Sequence, residues 1–214
     1  MSENKGSTAE LQRVLTFTDL LLAAIGWITL FGNKHIPTQS VSEDAKNRTI
    51  AMYAPTKTFN LAGLVGSYHV IYNKYLRDRA AQEMSLTHYN NVNVLSMHAL
   101  LGAYKPEGYE WVDELRQVLS DNAEYAYNYI KEHFEGVEAA KPQATYMLYL
   151  DCTKWCEAHN MSVYELQKAG AEVGVFWQDG RPFGGPCHIR MNLAVPHSRV
   201  IEAFDRLDKY VFNV

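Results

Sequence analysis

Apolar positions change their spacing along the chain, and each spacing predicts a different element. Val14 to Phe31 is rich in Leu, Ala and Ile, and within it Thr16 with Asp19 makes a capping-box variant ahead of the apolar run that starts at Leu20. That pattern predicts a short helix from about Phe17 to Ala24, closed near Gly26. A strand buried on both faces is the rival, since short apolar runs do not discriminate by period. Gly32-Asn33-Lys34 and Pro37 mark a loop. Thr49 to Tyr53 is a short apolar run ending at Ala54-Pro55, consistent with a buried strand, and Leu64 to Tyr72 is a second. Residues from about Asp78 to Tyr104 read as helical around an irregular centre at Tyr89-Asn90-Asn91, and Pro106 and Gly108 punctuate. A long amphipathic helix follows, with Val112, Leu115, Leu119, Ala126, Ile130 and Phe134 on one face.

Gly136 closes that helix and the period shortens. Thr145 to Leu150 is a β-type run, and Ser162 with Glu165 forms a capping box opening a helix to about Gly170. Val173 to Trp177 and His188 to Leu193 predict strands flanking an Asp179-Gly180 turn. Ser198 is the expected cap of a last helix whose apolar face is Val200, Phe204, Leu207 and Val211. Strand, helix, strand, strand, helix makes a compact α/β unit.

The bulk numbers narrow the function classes. In 214 residues, 20 Lys and Arg against 24 Asp and Glu give a net charge of −4, without the basic footprint of a nucleic-acid binder. The uninterrupted apolar part of the first run, Leu20 to Ile28, falls short of the roughly 20 residues a membrane span requires. Lys5 and Arg13 are balanced by Glu3 and Glu10, so a signal-peptide n-region is lacking. The expectation is a cytoplasmic protein without membrane or nucleic-acid partners. Three cysteines, Cys152, Cys156 and Cys187, give no disulfide framework, which fits a reducing compartment. With His159 and His188 they could form a zinc site in principle. Their spacing matches no standard signature, so structural cysteines and no metal are expected. Tyr125, Tyr127 and Tyr129 share one helix and read as packing.

The string with chemical content is Ala54-Pro55-Thr56-Lys57-Thr58-Phe59-Asn60-Leu61-Ala62-Gly63-Leu64. A lysine at the end of a buried strand is partly desolvated, which favours the neutral amine that condenses with a carbonyl. The hydroxyls of Thr56 and Thr58 are suited to a phosphate. On the residues alone, a solvated lysine at a strand edge is the commoner reading.

That string closely resembles the lysine motif of the cystathionine β-lyase-like (C–S lyase) branch of the class I/II aminotransferases, fold-type I enzymes dependent on pyridoxal 5'-phosphate (PLP). Two further strings agree in order and spacing. Pro142-Gln143-Ala144-Thr145-Tyr146-Met147-Leu148-Tyr149-Leu150-Asp151 resembles the first strand of that family's small domain. Phe183-Gly184-Gly185, followed by His188-Ile189-Arg190-Met191-Asn192-Leu193-Ala194, resembles its carboxylate-binding strand.

The resemblance implies an α/β fold: a truncated remnant of the PLP-binding large domain over residues 30–105, then a connecting helix and a small C-terminal α/β domain over 106–214. Residues 1–29 stand apart as a leader. Lys57 is implied to hold PLP as a Schiff base and to take the substrate's Cα proton, with Thr56 and Thr58 beside it. Arg190 is implied to clamp the α-carboxylate of an amino-acid substrate through a bidentate pair. The implied reaction is β-elimination to pyruvate, ammonia and a thiol, with aminotransfer or racemisation as side activities. Only the C-terminal half of the family pattern is present. An Asp that pairs with the pyridinium nitrogen belongs just upstream of Ile28 to Pro37, where this chain has Leu22-Ala23-Ala24-Ile25-Gly26-Trp27. Sheet edges left unpaired by such a truncation favour a homodimer. The other reading is a catalytically silent remnant serving as a binding or oligomerising module.

Overall fold

The computed structural model describes residues 29–64, 66–86 and 92–213. The helix expected over 17–24 and the irregular centre at 89–91 lie outside the described residues. The described residues divide into two compact units, one within residues 34–113 and one of residues 29–33 and 114–213.

In the first unit, helix α1 (Glu43–Arg48) is capped by Ser42, whose hydroxyl accepts from the Ala45 amide over 3.0 Å. Strands β1 (Ala51–Tyr53) and β2 (Tyr68–Val70) form an antiparallel ribbon in the register Ala51 to Val70, Met52 to His69 and Tyr53 to Tyr68. The sequence predicts buried strands here, but the ribbon has only one covered face, and Met52 on the other is 74% exposed. Buried Gln39 donates to the Val70 carbonyl over 2.8 Å, pinning the preceding loop to the ribbon. Asn73 and Asn93 accept from Leu76 and Ser96 amides at the starts of helices α2 (Lys74–Leu86) and α3 (Val94–Ala103). Pro106 proves to be the first residue of helix α4 (Pro106–His133). The first turn of a helix has no partner for a backbone N–H, so proline costs nothing there.

The division between units falls inside α4, after Asp113. In the second unit, strands β3 (Glu138–Ala139), β4 (Met147–Asp151), β5 (Gln178–Asp179) and β6 (His188–Asn192) make an antiparallel sheet in the order β3-β4-β6-β5. Alternate residues of the central strands, Leu148, Leu150, Ile189 and Met191, are buried as a period-two pattern dictates. Helices α5 (Thr153–Ala158), α6 (Val163–Glu172) and α7 (His197–Leu207), with a π-helical turn at Asp208–Phe212, bury Trp155, Leu166, Val200, Phe204, Leu207, Val211 and Phe212. The α4 stripe of Leu119, Ala126 and Ile130 and the following Phe134 are buried as predicted. Phe134 stacks on Phe204 at 5.8 Å and meets Phe212 at 4.2 Å. Residues 29–33 belong to this unit: Leu30 is buried, its amide donates to Gln143, and Arg116 bonds the Thr29 carbonyl over 3.0 Å.

Two expectations fail here for local reasons. Residues 173–177 form no strand, because the amides of Val173 and Val175 both return to the Gly170 carbonyl and close α6. Ser198 does not cap α7, which begins at His197 after Pro196 without a side-chain cap.

Candidate functional site

Lys57 lies in a chain of tight turns rather than at the strand tip. The Phe59 amide donates to the Pro55 carbonyl over 2.9 Å, Leu61 to Thr56 over 2.8 Å, and Asn60 takes a positive φ of 53°. These turns send neighbouring side chains in opposite directions. Pro55, Thr58 and Phe59 are buried, Thr56 is half-buried, and Lys57 is exposed.

The buried side of the turn is seated on aromatic rings. Phe59 meets Tyr104 edge-on at 5.5 Å and stacks with Trp111 at 6.5 Å. The Tyr104 and Tyr68 hydroxyls lie 3.0 Å apart, and Tyr68 stacks on Tyr53 at 5.5 Å. Burial pushes the Tyr104 phenol up, and the hydrogen bond to Tyr68 pushes it the same way, so it stays a neutral O–H. A lysine on a turn anchored this firmly has a defined base and a solvent-facing tip.

The partial desolvation of Lys57 expected from the sequence is therefore absent. The chain leaves β1 at Tyr53 and turns before Lys57, which lifts the side chain clear of the ribbon. Among the described residues Lys57 has no hydrogen-bonding or ion-pair partner. Its amine is accessible to an aldehyde, and Thr56 and Thr58 flank it as chain neighbours. In this respect Lys57 fits the aldehyde end of PLP, whereas the Thr58 side chain, expected beside the phosphate, is turned into the interior and leaves half-buried Thr56 as the neighbouring hydroxyl.

Arg190 belongs to the other unit. It sits in the middle of β6, opposite Tyr149 of β4 and Gln178 of β5. Its guanidinium lies 4.5 Å from the centre of the Phe183 ring, and it has no ion-pair partner among the described residues. Phe183 is held by a tight turn at Arg181–Phe183, where Arg181 Nε grips Asp179 at 2.8 and 3.0 Å. The Tyr149 hydroxyl donates to the Gly180 carbonyl over 2.9 Å. A Cβ on Gly185 would lie 2.2 Å from that hydroxyl, so the second glycine of Phe183-Gly184-Gly185 is dictated by close approach.

Sequence reasoning missed two residues that shape this strand. Phe183 appears there only as part of a string, and its contact with Arg190 depends on how the turn folds back. Asn122 of α4 is fully buried, and its amide nitrogen donates to the carbonyls of Leu193 and Val195, each over 2.9 Å. A polar residue on an apolar helical stripe was the available signal.

Among the described residues no group of three or more His, Cys, Asp or Glu side chains is gathered to hold a metal ion, and no helix is long and apolar enough to cross a membrane. An open cleft of about 540 Å³ in the second unit is lined by Glu172, Val173, Gly174, Arg206 and Tyr210. The Arg206 charge there is already committed to Glu202 and the Val173 carbonyl.

Comparison with known proteins identifies the family. Cystathionine β-lyase PatB of Bacillus subtilis (strain 168) is 30% identical over 168 residues, covering 77% of this chain and 42% of that protein. A cystathionine β-lyase of Corynebacterium glutamicum is 30% identical over 182 residues, covering 83% and 46% respectively. The PLP-bound putative aminotransferase from Clostridium difficile 630 superposes with a TM-score of 0.77 at 30% identity, over 88% of this chain and 48% of that one. Cystalysin from Treponema denticola, which contains pyridoxal 5'-phosphate, does so with a TM-score of 0.76 at 26% identity, over 88% and 47%. The chain thus spans about half the length of the relatives it matches. The model of aminotransferase class I and II matches residues 12–207, starting within the segment that the motifs alone set apart as a leader, and the chain belongs to that family of enzymes.

Proposed function

We propose that this chain acts on amino acids with PLP held at Lys57, and that its reaction is C–S β-elimination from a sulfur-containing amino acid to pyruvate, ammonia and a thiol. The cofactor, when bound, supplies an electron sink for the charge left at Cα. Lys57 Nζ would hold the cofactor through its aldehyde and would take up the substrate's Cα proton. Half-buried Thr56 would offer a hydroxyl donor to the phosphate, while Thr58, turned into the interior, would support the turn. Arg190 takes the α-carboxylate between two parallel N–H donors, a geometry that only a guanidinium supplies.

The observation that carries this reading is an exposed Lys57, unpaired among the described residues, on a turn anchored to an aromatic cluster and inside the family's lysine motif. The names of the relatives favour the lyase over aminotransfer or racemisation. Self-association as a homodimer belongs to the same proposal, supported by the exposed Val94 and Leu95 on α3. A cytoplasmic location completes it.

The test is reductive trapping. PLP added to the purified chain, followed by borohydride, is expected to leave a pyridoxyl label on the peptide containing Lys57, and Lys57→Ala is expected to abolish it. Pyruvate release from cystathionine, compared with amino-group transfer to a keto acid and with loss of optical rotation, then sorts the reaction type. No label at saturating PLP would leave the chain as a binding or oligomerising module of the same ancestry.

A further inference from the structure

The C-terminal unit gathers all three cysteines, which neither site uses. The β4–β6 register pairs Asp151 with His188, and one step further the Cys152 amide donates to the Cys187 carbonyl over 3.0 Å. Helix α5 starts at this point. The Cys156 amide returns to the Cys152 carbonyl over 2.9 Å, which stands Cys156 one turn along on the same side. These two backbone bonds bring Cys187 and Cys156 to the same end of α5, around Cys152. All three are free thiols. Their accessibility is graded: Cys187 is half-buried, Cys156 is 4% exposed and Cys152 is fully buried.

We propose that Cys187 and Cys156 form a redox-closable dithiol, in which a low-molecular-weight disulfide reacts first at Cys187 and Cys156 then resolves it. In the first step the Cys187 thiolate attacks one sulfur of the incoming disulfide. That S–S bond breaks and one small thiolate leaves. In the second step Cys156 gives its proton to solvent and its sulfur attacks Cys187 Sγ, releasing the second small thiolate. The protein pair is oxidised by two electrons and the incoming disulfide is reduced to two thiols.

The order of attack follows from access and acidity. Burial, with the hydrogen bond to Cys187 next, pushes the Cys156 thiol up to about 12, so it is a poor first nucleophile. Once Cys187 carries the mixed disulfide, its sulfur is held beside Cys156 and the second step is intramolecular. Cys152 is excluded by complete burial. The closed pair would tie the loop from Phe183 to Cys187, which presents the ring over Arg190, onto α5. This inference is independent of the cofactor reading.

The experiment is mass mapping of the full, reduced chain after native incubation with oxidised glutathione, with digestion under non-reducing conditions. The expected product is one linked peptide pair joining Cys156 to Cys187, with maleimide-reactive thiols in the unfolded product falling from three to one and dithiothreitol restoring all three. Cys152→Ser is expected to keep the link and Cys187→Ser to lose it. Three thiols still reactive, a glutathione adduct that persists on Cys187, or a link through Cys152 would each overturn the proposal. The wild-type map alone is decisive, so the result stands even if a variant folds poorly.

Discussion

The Arg190 guanidinium lies 4.5 Å from the centre of the Phe183 ring. The ring faces the cation without neutralising it, so the fork is oriented yet still available to a carboxylate.

Under the proposed function, this contact separates a binding residue, Arg190, from a positioning one, Phe183. Charge-assisted hydrogen bonds are worth roughly 1.5–3 kcal/mol, so Arg190→Ala is expected to weaken amino-acid binding by about tenfold to a hundredfold. Arg190→Lys should lose most of the same affinity, because a point charge has no fork. Phe183→Ala should cost only about two- to fivefold, from a cation–π contact of ~0.5–1 kcal/mol. Titration calorimetry with an amino acid checks the ranking. Losses at Phe183 as large as those at Arg190 would rule out a positioning role.

Asn122 is expected to be the most sensitive polar residue of the C-terminal unit. Its nitrogen serves two carbonyls just beyond β6, and its oxygen accepts from His197 Nδ1 at 2.8 Å. Asn122→Ala strands the buried Leu193 carbonyl in the interior, at about 1–3 kcal/mol. Asn122→Leu fills the volume but leaves the same groups unpaired, so it should not rescue. The urea midpoints of the two variants should fall together.

Legibility in the sequence followed how local each interaction is. The Ser162–Glu165 box, the α4 stripe and the β6 alternation are short-range patterns, and the structure carries all three. The exposure of Lys57, by contrast, depended on turns whose anchors, Tyr104 and Trp111, are distant in sequence. Val173 to Trp177 has β-type composition, yet Trp177 packs on Gly170, where a Cβ would lie 2.5 Å from the indole. That tertiary contact overrides strand propensity. Nothing in the spacing of Asn122 announced which carbonyls it would serve.

The capping box of α6 gives a pH prediction. Glu165 accepts from the Ser162 amide and hydroxyl, each over 2.8 Å. The amide bond first, and then the hydroxyl, hold its carboxyl below the ordinary value of 4.5. A carboxyl depressed in the folded state contributes stability above its unfolded pKa and loses it as pH falls through the folded one. Glu165→Ala is therefore expected to lower the denaturation midpoint at pH 7 and to match the wild type well below pH 4. Glu165→Gln should retain much of the cap without that pH dependence. A midpoint difference that stays constant down to strong acid would count against the ionised cap.

Two left-handed glycines allow backbone strain to be separated from crowding. Gly136 has φ 78° and Gly184 has φ 85°, so an added side chain pays the same conformational penalty at both, roughly 1 kcal/mol. Their surroundings differ. At Gly184 a Cβ meets nothing within 4 Å, whereas at Gly136 it would lie 2.9 Å from the Trp155 backbone nitrogen. That nitrogen donates to the Gly136 carbonyl over 3.1 Å, and Trp155 is buried against Phe212, so neither side can retreat. Overpacking of a fixed contact adds about 1–3 kcal/mol. Gly184→Ala should thus shift the urea midpoint slightly, and Gly136→Ala should shift it two to four times as far. Equal shifts would mean that the approach of α5 to the end of α4 is looser than these distances require.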